Sequence, residues 1–416
     1  MIGHAEVKKV LSCLSSVLLL SLFFIGISGV GAKGKTNLLV MQGTWWKDQV
    51  PILKEKYEQT HPDVNLDFRL MGYQGMREQQ VLNLMLGKAA DVFCIQNEMW
   101  VPGFVDKDLI APWDEYVGPD KPIRPEWFMP KILEKHYMEG HQWSIPFRVN
   151  PDTLFYNNNM FREAGLNPDV GPSNFKEMKK YARFLTNPEK DIYGFVWEAA
   201  SGGFEYLVLE FLGTFGAGFY NEEGTKATIN SPSAIEAVDF MASFVREGLV
   251  PQSSMGFTDN QSERFFGLRK AAMLVTGYGS QWVIDDVWPD LDFSKDIGTS
   301  VIDYGYVNSM SLAMPKNPKL PEESARFVGW FIENLPELTI RIPCTKRMGE
   351  WANKPRAIPF LRQGMEGAKK ILNLIPETTE IQTIVTKQIQ RVCVGEATAK
   401  EAMDIAAKEI NKILSE

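Results

Sequence analysis

Short apolar runs alternate with amphipathic helical segments from residue 36 onward, and this alternation limits the possible folds of the 416-residue chain more than any other feature. Residues 38–41, 64–70 and 91–95 have the pattern of strands, and residues 49–60 and 74–86 carry apolar side chains at helical spacing. Strands that alternate with helices are typical of an α/β fold. The sequence therefore predicts strand, helix, strand, helix, strand by residue 95.

The same alternation continues to the C-terminus. Ser173 and Ser231 are predicted N-caps, and Pro232 stands at a first helical position. The later elements are predicted as strands at residues 191–197, 271–276 and 310–314, and as helices at residues 174–185, from 232 to about 249, near 322–333, near 384–394 and at 398–414.

The first 32 residues have the pattern of an export signal. Lys8 and Lys9 precede an apolar run over residues 10–30, and Gly31-Ala32 provides small residues for cleavage. We expect residues 1–32 to be removed and the mature protein to be periplasmic or extracellular. An uncleaved transmembrane anchor is the alternative, because the run is about long enough to span a bilayer.

Charge and cysteine content limit the partners and the chemistry. Asp and Glu number 52 against 44 Lys and Arg, a formal net charge of −8, so nucleic acid is not an expected partner. Cys94, Cys344 and Cys393 are isolated from one another in sequence, and the first and last have apolar neighbours, which predicts buried free thiols. A disulfide between Cys344 and Cys393 is the alternative in an oxidising compartment.

Catalytic and metal-binding motifs are absent from the sequence, which has no phosphate-binding glycine loop, nucleophile elbow or His-Glu-x-x-His helix. We expect no enzymatic activity and no cofactor or metal. His136 and His141 are assigned to a solvated helix end and turn, with a metal site as the alternative. The acidic residues between 285 and 292 are assigned to a loop rather than to a catalytic pair, and Tyr304 and Tyr306 are weaker candidates for ferric iron.

Aromatic and amide side chains follow the predicted strands. The set is Trp45 and Trp46 after the first strand, Tyr73 and Gln74 after the second, and Gln96, Asn97, Glu98 and Trp100 after the third. Ligands of open α/β sheets bind at the carboxyl ends of strands. An aromatic ring can cover the apolar face of a sugar while amide and carboxylate groups bind its hydroxyls. The set favours a sugar site, although each residue alone is compatible with a loop or core role.

Several segments, in this order, resemble the extracellular sugar-binding (family 1) solute-binding proteins of ABC importers, to which maltose-binding protein is similar. The likeness covers about residues 36–416. The segments that carry it are YEQTHPDV (57–64), GKAADV (87–92), IP (145–146) followed by LFYN (154–157) and FREAGL (161–166), PSNFKE (172–177), YGF (193–195), KAAM (270–273) and GEAT (395–398).

That resemblance implies a two-lobed α/β periplasmic-binding-protein fold. Each lobe would have a central sheet flanked by helices, a hinge of several crossings would join them, and a membrane permease would recognise the closed, ligand-bound form. We expect a monomer. The implied bounds are 36–146 and 309–340 for lobe one, 150–305 and 345–416 for lobe two, and crossings near 146–150, 304–308 and 342–346.

The resemblance also implies a set of ligand-binding residues. Trp197 and Tyr278 are the expected stacking platforms, and a salt bridge between Arg148 and Glu98 that only organises the cleft is an alternative to ligand contact. Thr44-Trp45-Trp46 stands where maltose-type proteins have a charged pair, which favours a different sugar. The full set is Trp45, Trp46, Tyr73, Asn97 and Glu98 from lobe one, Arg148 and Asn150 at the hinge, and Trp197, Glu198, Tyr278 and Trp282 from lobe two.

The expected function is the capture of a sugar or oligosaccharide and its delivery to an ABC importer. One alternative is the same fold with another solute, namely a uronate, a polyol, a polyamine or a metal chelate. The other is a secreted carbohydrate-active enzyme, which would need two carboxylates facing each other across the cleft.

Overall fold

The computed structural model describes most of the chain after residue 33: residues 34–72, 75–200, 204–277, 279–303, 307–338, 360, 362 and 374–415. The strands are β1 (Thr36–Gly43), β2 (Val64–Met71), β3 (Val92–Ile95), β4 (Ile110–Ala111), β5 (Tyr137–Met138), β6 (His141–Gln142), β7 (Ile145–Pro151), β8 (Thr153–Asn157), β9 (Met273–Thr276), β10 (Ile297–Ser300) and β11 (Val307–Pro315). The α-helices are Val50–Thr60, Met76–Met85, Val101–Asp106, Pro130–Glu134, Asn158–Glu163, Phe175–Leu185, Phe204–Thr214, Pro232–Arg246, Asp259–Gly267, Ser280–Val287, Phe293–Asp296, Pro321–Leu338, Thr378–Cys393 and Ala399–Ile413.

The larger sheet has the strand order β2-β1-β3-β11-β4, with β7 also paired to β11. β1 is parallel to β2 and β3, whereas β11 is antiparallel to β3, β4 and β7. Parallel strands need a crossover connection, and the helices Val50–Thr60 and Met76–Met85 provide it. The arrangement confirms the α/β order predicted for the first 95 residues.

The smaller sheet has the strand order β10-β8-β9 and is antiparallel. All five side chains of β8 are buried, so this strand is the middle of a covered sheet. β7 runs almost directly into β8, since only Asp152 lies between them. The chain therefore passes from the larger to the smaller sheet at this residue.

β7 contains the first predicted hinge crossing, residues 146–150, and pairs with β11 so that Asn150 lies opposite Asn308. The second predicted crossing lies partly, and the third entirely, outside the described residues. The two long paired strands place alternate side chains of β7 and β11 on a common face.

Two details of the prediction are wrong. Asn174, not Ser173, caps the helix Phe175–Leu185: its side chain accepts the N–H of Glu177, while the N–H and hydroxyl of Ser173 donate to the Glu177 carboxylate. Residues 191–197 form no regular strand: Tyr193 and Val196 make isolated bridges to the segment around β9, and Ile192 makes one to Asn187. The N-cap at Ser231 is confirmed.

Aromatic side chains fill the core beside the larger sheet. Trp46 lies between Phe147 and Phe331, with ring centroids 6.1 and 5.6 Å away. The hydroxyl of Tyr57, on the first helix, donates to Glu323 on the helix Pro321–Leu338 at 2.7 Å. Burial of each large side chain contributes about 1.5–3 kcal/mol, so these contacts fix helices of distant sequence on one sheet.

Cys94 and Cys393 are buried free thiols, as predicted, and burial raises the pKa of each to about 12. Cys344 lies outside the described residues. Among the helices that the structure describes, none has the length and apolar character needed to cross a membrane.

Candidate ligand-binding cavity

A cavity of about 480 Å³ lies where the carboxyl ends of β1 and β3 meet β7, β11 and the helices that follow residue 197. Its lining mixes aromatic, amide, hydroxyl and carboxyl side chains. The lining residues are Trp45, Gln96, Arg148, Asn150, Asp152, Trp197, Glu198, Tyr206, Leu207, Asp259, Asn260, Ser262, Glu263, Val275, Thr276, Gly277, Gly279, Ser280, Val283, Asn308 and Met310.

The two tryptophans after β1 have different environments. Trp45 lines the cavity, and its ring lies so close to Gly43 that any side chain at that glycine would overlap it. The Trp45 indole N–H is buried and has no hydrogen-bond partner among the described residues. Trp46 is 1% exposed and packs in the core, because the 3-10 turn Thr44–Trp46 directs successive side chains to different sides.

The segment after β3 contributes Gln96 to the cavity rather than the predicted Asn97 and Glu98. Asn97 caps the 3-10 turn Glu98–Trp100, its side-chain oxygen accepting the N–H of Met99 at 2.9 Å. Glu98 is fully buried, and its carboxylate accepts the N–H of Ser309 at 2.6 Å. Asn97 and Glu98 thus hold β3, the turn and β11 together.

Glu98 belongs to a buried polar cluster, which we define as Glu98, Lys135, His136, Ser144 and Ser309. Lys135 donates to the carbonyl of Val307 at 2.8 Å and lies 3.5 Å from the Glu98 carboxylate. The His136 ring contacts the hydroxyls of Ser144 and Ser309 at 2.8 and 2.9 Å, and burial lowers its pKa to about 3.

The prediction of solvated histidines is therefore wrong for His136 and right for His141. His141 is exposed and lies 2.5 Å from Asp114. The short strands β5 and β6 separate the two rings, and the turn between them leaves only His141 in solvent.

Two residues of β7 face the cavity, as the resemblance implies. Arg148 and Asn150 are two apart on the strand and so share one face. The Arg148 guanidinium donates to the Asn150 side-chain oxygen at 3.1 Å and to the Met310 sulfur at 3.4 Å. Asn150 lies directly against Gly277, where a Cβ would come within 2.6 Å of its amide nitrogen. This wall is therefore tightly packed.

Trp197 and Glu198 line the opposite wall. Trp197 is only 2% exposed because Phe195, Phe211 and Phe244 surround its ring, with centroids 5.7–6.3 Å away. Its indole N–H has no partner among the described residues. Trp282 is 42% exposed and is not among the lining residues.

Other predicted residues lie elsewhere. Tyr73, Tyr278, Tyr304 and Tyr306 fall outside the described residues. Asp286 pairs with Arg264 and Asp292 with Lys295, each at 2.8 Å, in keeping with solvated surface carboxylates. The described residues contain no group of three or more His, Cys, Asp or Glu side chains that could hold a metal ion.

Three carboxyl groups of the cavity, those of Asp152, Asp259 and Glu263, were not predicted from the sequence. Asp152 follows β7, and Glu263 reaches the cavity from the helix Asp259–Gly267. The Glu263 carboxylate accepts the hydroxyls of Ser280 at 2.6 Å and of Thr276 at 3.3 Å. Burial raises the pKa of the Asp152 and Glu263 carboxyl groups, and Glu263 adds to the effect on Asp152 by charge repulsion. Asp152 follows a strand end and had a sequence signal, whereas Glu263 had none.

Apart from Arg148, four lining residues have a buried polar atom without a partner in the described part of the chain: the indole N–H groups of Trp45 and Trp197 and the side-chain oxygens of Gln96 and Asn308. Buried polar atoms normally have hydrogen-bond partners, so unpartnered donors and acceptors around one cavity indicate a ligand that provides the missing bonds. A hydroxyl group can donate to the oxygens and accept from the indoles.

The chain belongs to the bacterial extracellular solute-binding proteins, since the model of that family matches residues 47–334, more than half of the sequence. This finding agrees with the resemblance inferred from the sequence.

Individual relatives are distant but cover almost the whole chain. A mannitol-binding protein of Pseudomonas aeruginosa is 22% identical over 85% of this chain and 87% of its own. The sn-glycerol-3-phosphate-binding periplasmic protein UgpB of Salmonella typhimurium is 22% identical, and the match covers 90% of this chain and 91% of UgpB. An ABC transporter solute-binding protein of Thermotoga lettingae, solved with α-D-tagatose, has a TM-score of 0.77 at 20% identity and covers 91% of this chain and 100% of its own. The fold is thus the two-lobed fold of periplasmic binding proteins.

Proposed function

We propose that this protein captures a sugar or a polyol in the cavity between β7, β11 and the helices after residue 197, and delivers it to an ABC importer. One observation carries the proposal: four buried, unpartnered hydrogen-bonding atoms of both polarities surround a single cavity. Only a ligand with several groups that both donate and accept satisfies all four, and a polyhydroxylated molecule does so. The names of the mannitol-binding relative and of the tagatose-bound structure support the same class, whereas UgpB is named for a phosphate ester.

The proposed ligand contacts follow from the lining. Trp45 and Trp197 donate through their indole N–H groups, and Gln96 and Asn308 accept from ligand hydroxyls. Arg148, Asn150 and Glu198 add polar contacts. Because phenylalanines surround Trp197, we propose that it contributes its N–H rather than a stacking face. Tyr73, Tyr278 and Trp282 stay predictions from the resemblance.

The lobes of this proposal are those implied by the resemblance: 36–146 with 309–340, and 150–305 with 345–416. β7 and the segment at Asp152 join them, so closure of the lobes would complete the cavity. We also propose that residues 1–32 direct export and that the closed monomer is what the importer recognises.

Calorimetric titration of the protein tests the ligand class. Hexitols, hexoses and trisaccharides are titrated, with sn-glycerol 3-phosphate as the anionic comparison. We expect one neutral class to bind, and Gln96→Leu to weaken it by about 10–100-fold because a buried ligand hydroxyl loses its acceptor. Gln79→Leu, at an exposed position, is the matched control. Binding of the phosphate ester alone would contradict the proposal.

A glycoside hydrolase is the rival function, because Asp152 and Glu263 place two carboxyl groups in the cavity. We propose binding without turnover, in line with the family. Incubation with chromogenic glycosides provides the test, with no release expected. Release that disappears in Glu263→Gln would establish an enzyme instead.

A further inference from the structure

The described lining of the cavity has more acidic than basic side chains. It contains four carboxyl groups, those of Asp152, Glu198, Asp259 and Glu263, and one cationic group, that of Arg148. Arg148 already donates to Asn150 and to Met310. An acidic cavity repels phosphate and carboxylate ligands and favours neutral or cationic ones.

Two of these carboxyl groups are withdrawn from solvent, that of Glu263 almost completely and that of Asp152 in part. Glu263 is 8% exposed, and its described partners are the neutral hydroxyls of Ser280 and Thr276. Asp152 makes no hydrogen bond or ion pair within the described part of the chain, and its charge repels that of Glu263. A buried pair of like charges is costly unless a proton or a cation compensates it. Within the described part of the chain, this pair therefore has no counter-charge.

The neighbouring amide gives an independent indication of the missing group. Asn308 is 7% exposed, lines the same cavity, and its side-chain oxygen has no partner among the described residues. It lies on β11 opposite Asn150, next to the strand end that leads to Asp152. An ammonium group has three donors and no acceptor, so it matches two carboxylates and an amide oxygen. The described residues form no metal cluster at this place.

We propose that the ligand is a polyhydroxylated molecule with a basic nitrogen, such as an amino sugar or an amino polyol, and that its ammonium group lies against Asp152 and Glu263. This inference depends on the proposed function, because the hydroxyls of the same ligand bind Trp45, Trp197 and Gln96. It adds the charge of the ligand, which the family does not define.

The affinity for such a ligand depends on pH. The ligand-free carboxyl pair holds a proton near neutral pH, because burial raises the pKa of both groups. An ammonium group replaces that proton, so the affinity for an amino polyol, whose amine stays protonated in this range, rises from about pH 6 to pH 8 while that for a neutral analogue does not. The charged groups that line the same cavity are Arg148 on β7, Glu198 after Trp197, and Asp259 on the helix that carries Glu263.

Matched pairs of ligands that differ only in a hydroxyl or an amine test the inference by calorimetric titration of the protein. The pairs are glucitol and 1-amino-1-deoxyglucitol, mannose and mannosamine, galactose and galactosamine, and cellotriose and the corresponding trisaccharide of glucosamine. We expect one amine to bind at least about tenfold more tightly than its neutral partner at pH 7.5. Titration in two buffers of different ionisation enthalpy should show proton release.

Variants separate the role of the pair from general effects. Asp152→Asn and Glu263→Gln should each abolish the preference for the amine, and the second keeps the test valid if the first does not fold. Glu189→Gln, at an exposed position outside the cavity, should retain it. Equal or tighter binding of the neutral partner would overturn this inference and leave the proposed function intact. Failure of every neutral and amino ligand to bind would overturn both.

Discussion

Two groups of buried ionisable side chains lie close to the paired strands β7 and β11, and they differ in how their charges are compensated. The polar cluster around Glu98 joins a carboxylate, an ammonium group and an imidazole through short hydrogen bonds. The pair Asp152 and Glu263 has hydroxyl partners on one member only. A compensated group stabilises the fold, whereas an uncompensated one indicates a place for a ligand.

Glu98→Ala gives the largest expected effect, because it leaves Lys135 buried without its carboxylate. We expect a loss of about 3–5 kcal/mol in the free energy of unfolding. Urea unfolding followed by circular dichroism measures it. Glu126→Ala, at an exposed position, should change it by less than about 0.5 kcal/mol. Equal effects of the two variants would remove the distinction drawn between the two groups.

Glu263→Gln should raise the free energy of unfolding, whereas Glu98→Ala lowers it. The pKa of Glu263 in the folded protein is raised to about 7 from 4.5, so its contribution to stability is complete below pH 4.5 and is lost as the pH rises through about 7. Glutamine resembles the protonated form at every pH. The ligand-free variant should therefore exceed the parent by roughly 1–3 kcal/mol at pH 8, and the difference should shrink toward pH 4.5. Urea unfolding of the parent and the variant at pH 5 and pH 8 measures the difference at each pH. A destabilised variant at pH 8 would show that the charge of Glu263 is compensated.

Ser309→Ala tests whether the polar cluster acts as a unit. The hydroxyl contacts the Glu98 carboxylate at 3.2 Å and the His136 ring at 2.9 Å. Its removal should cost about 1–3 kcal/mol, since buried partners lose a hydrogen bond. A double-mutant cycle with His136→Gln measures the coupling, and strict additivity would show that the contacts are independent.

Asp259→Asn should have the smallest effect. Asp259 lines the cavity but is exposed at the start of its helix. We expect a change in stability of about 0.3–1 kcal/mol, from the loss of a charge at a helix N-terminus. Titration of the variant with an amine that binds the parent protein should give a nearly unchanged affinity. A loss as large as that in Asp152→Asn would move the cationic part of the site toward the mouth of the cavity.

The sequence predicted the elements because local periodicity reports which face of a helix or strand is buried. The strands at 38–41 and 64–70 and the helix at 49–60 lie where the spacing of apolar residues put them. The segment 191–197 failed because its apolar residues pack individually against β9 without forming a ladder. The predicted cap at Ser231 is confirmed, whereas the cap at Ser173 is wrong, since Ser173 and Asn174 carry the same local signal.

The sequence predicted the neighbourhood of the site better than its members. The strand-end pattern pointed to the region of Trp45 and Gln96, the resemblance added Arg148, and all three line the cavity. They did not distinguish Gln96 from Glu98, or Trp45 from Trp46, because one step along a turn changes the direction of a side chain. The contacts of Glu98 with Ser309 join residues that are 211 positions apart.

The sequence by itself determined that the chain is an α/β protein of a solute-binding family with aromatic and amide side chains at its strand ends. The tertiary structure alone decided which polar groups are compensated. Compensation depends on contacts between distant segments, such as Glu98 with Lys135 and Ser309 on one side, and Asp152 with Glu263 on the other. Local patterns contain no information on such contacts, because burial and charge repulsion act through space and not along the chain.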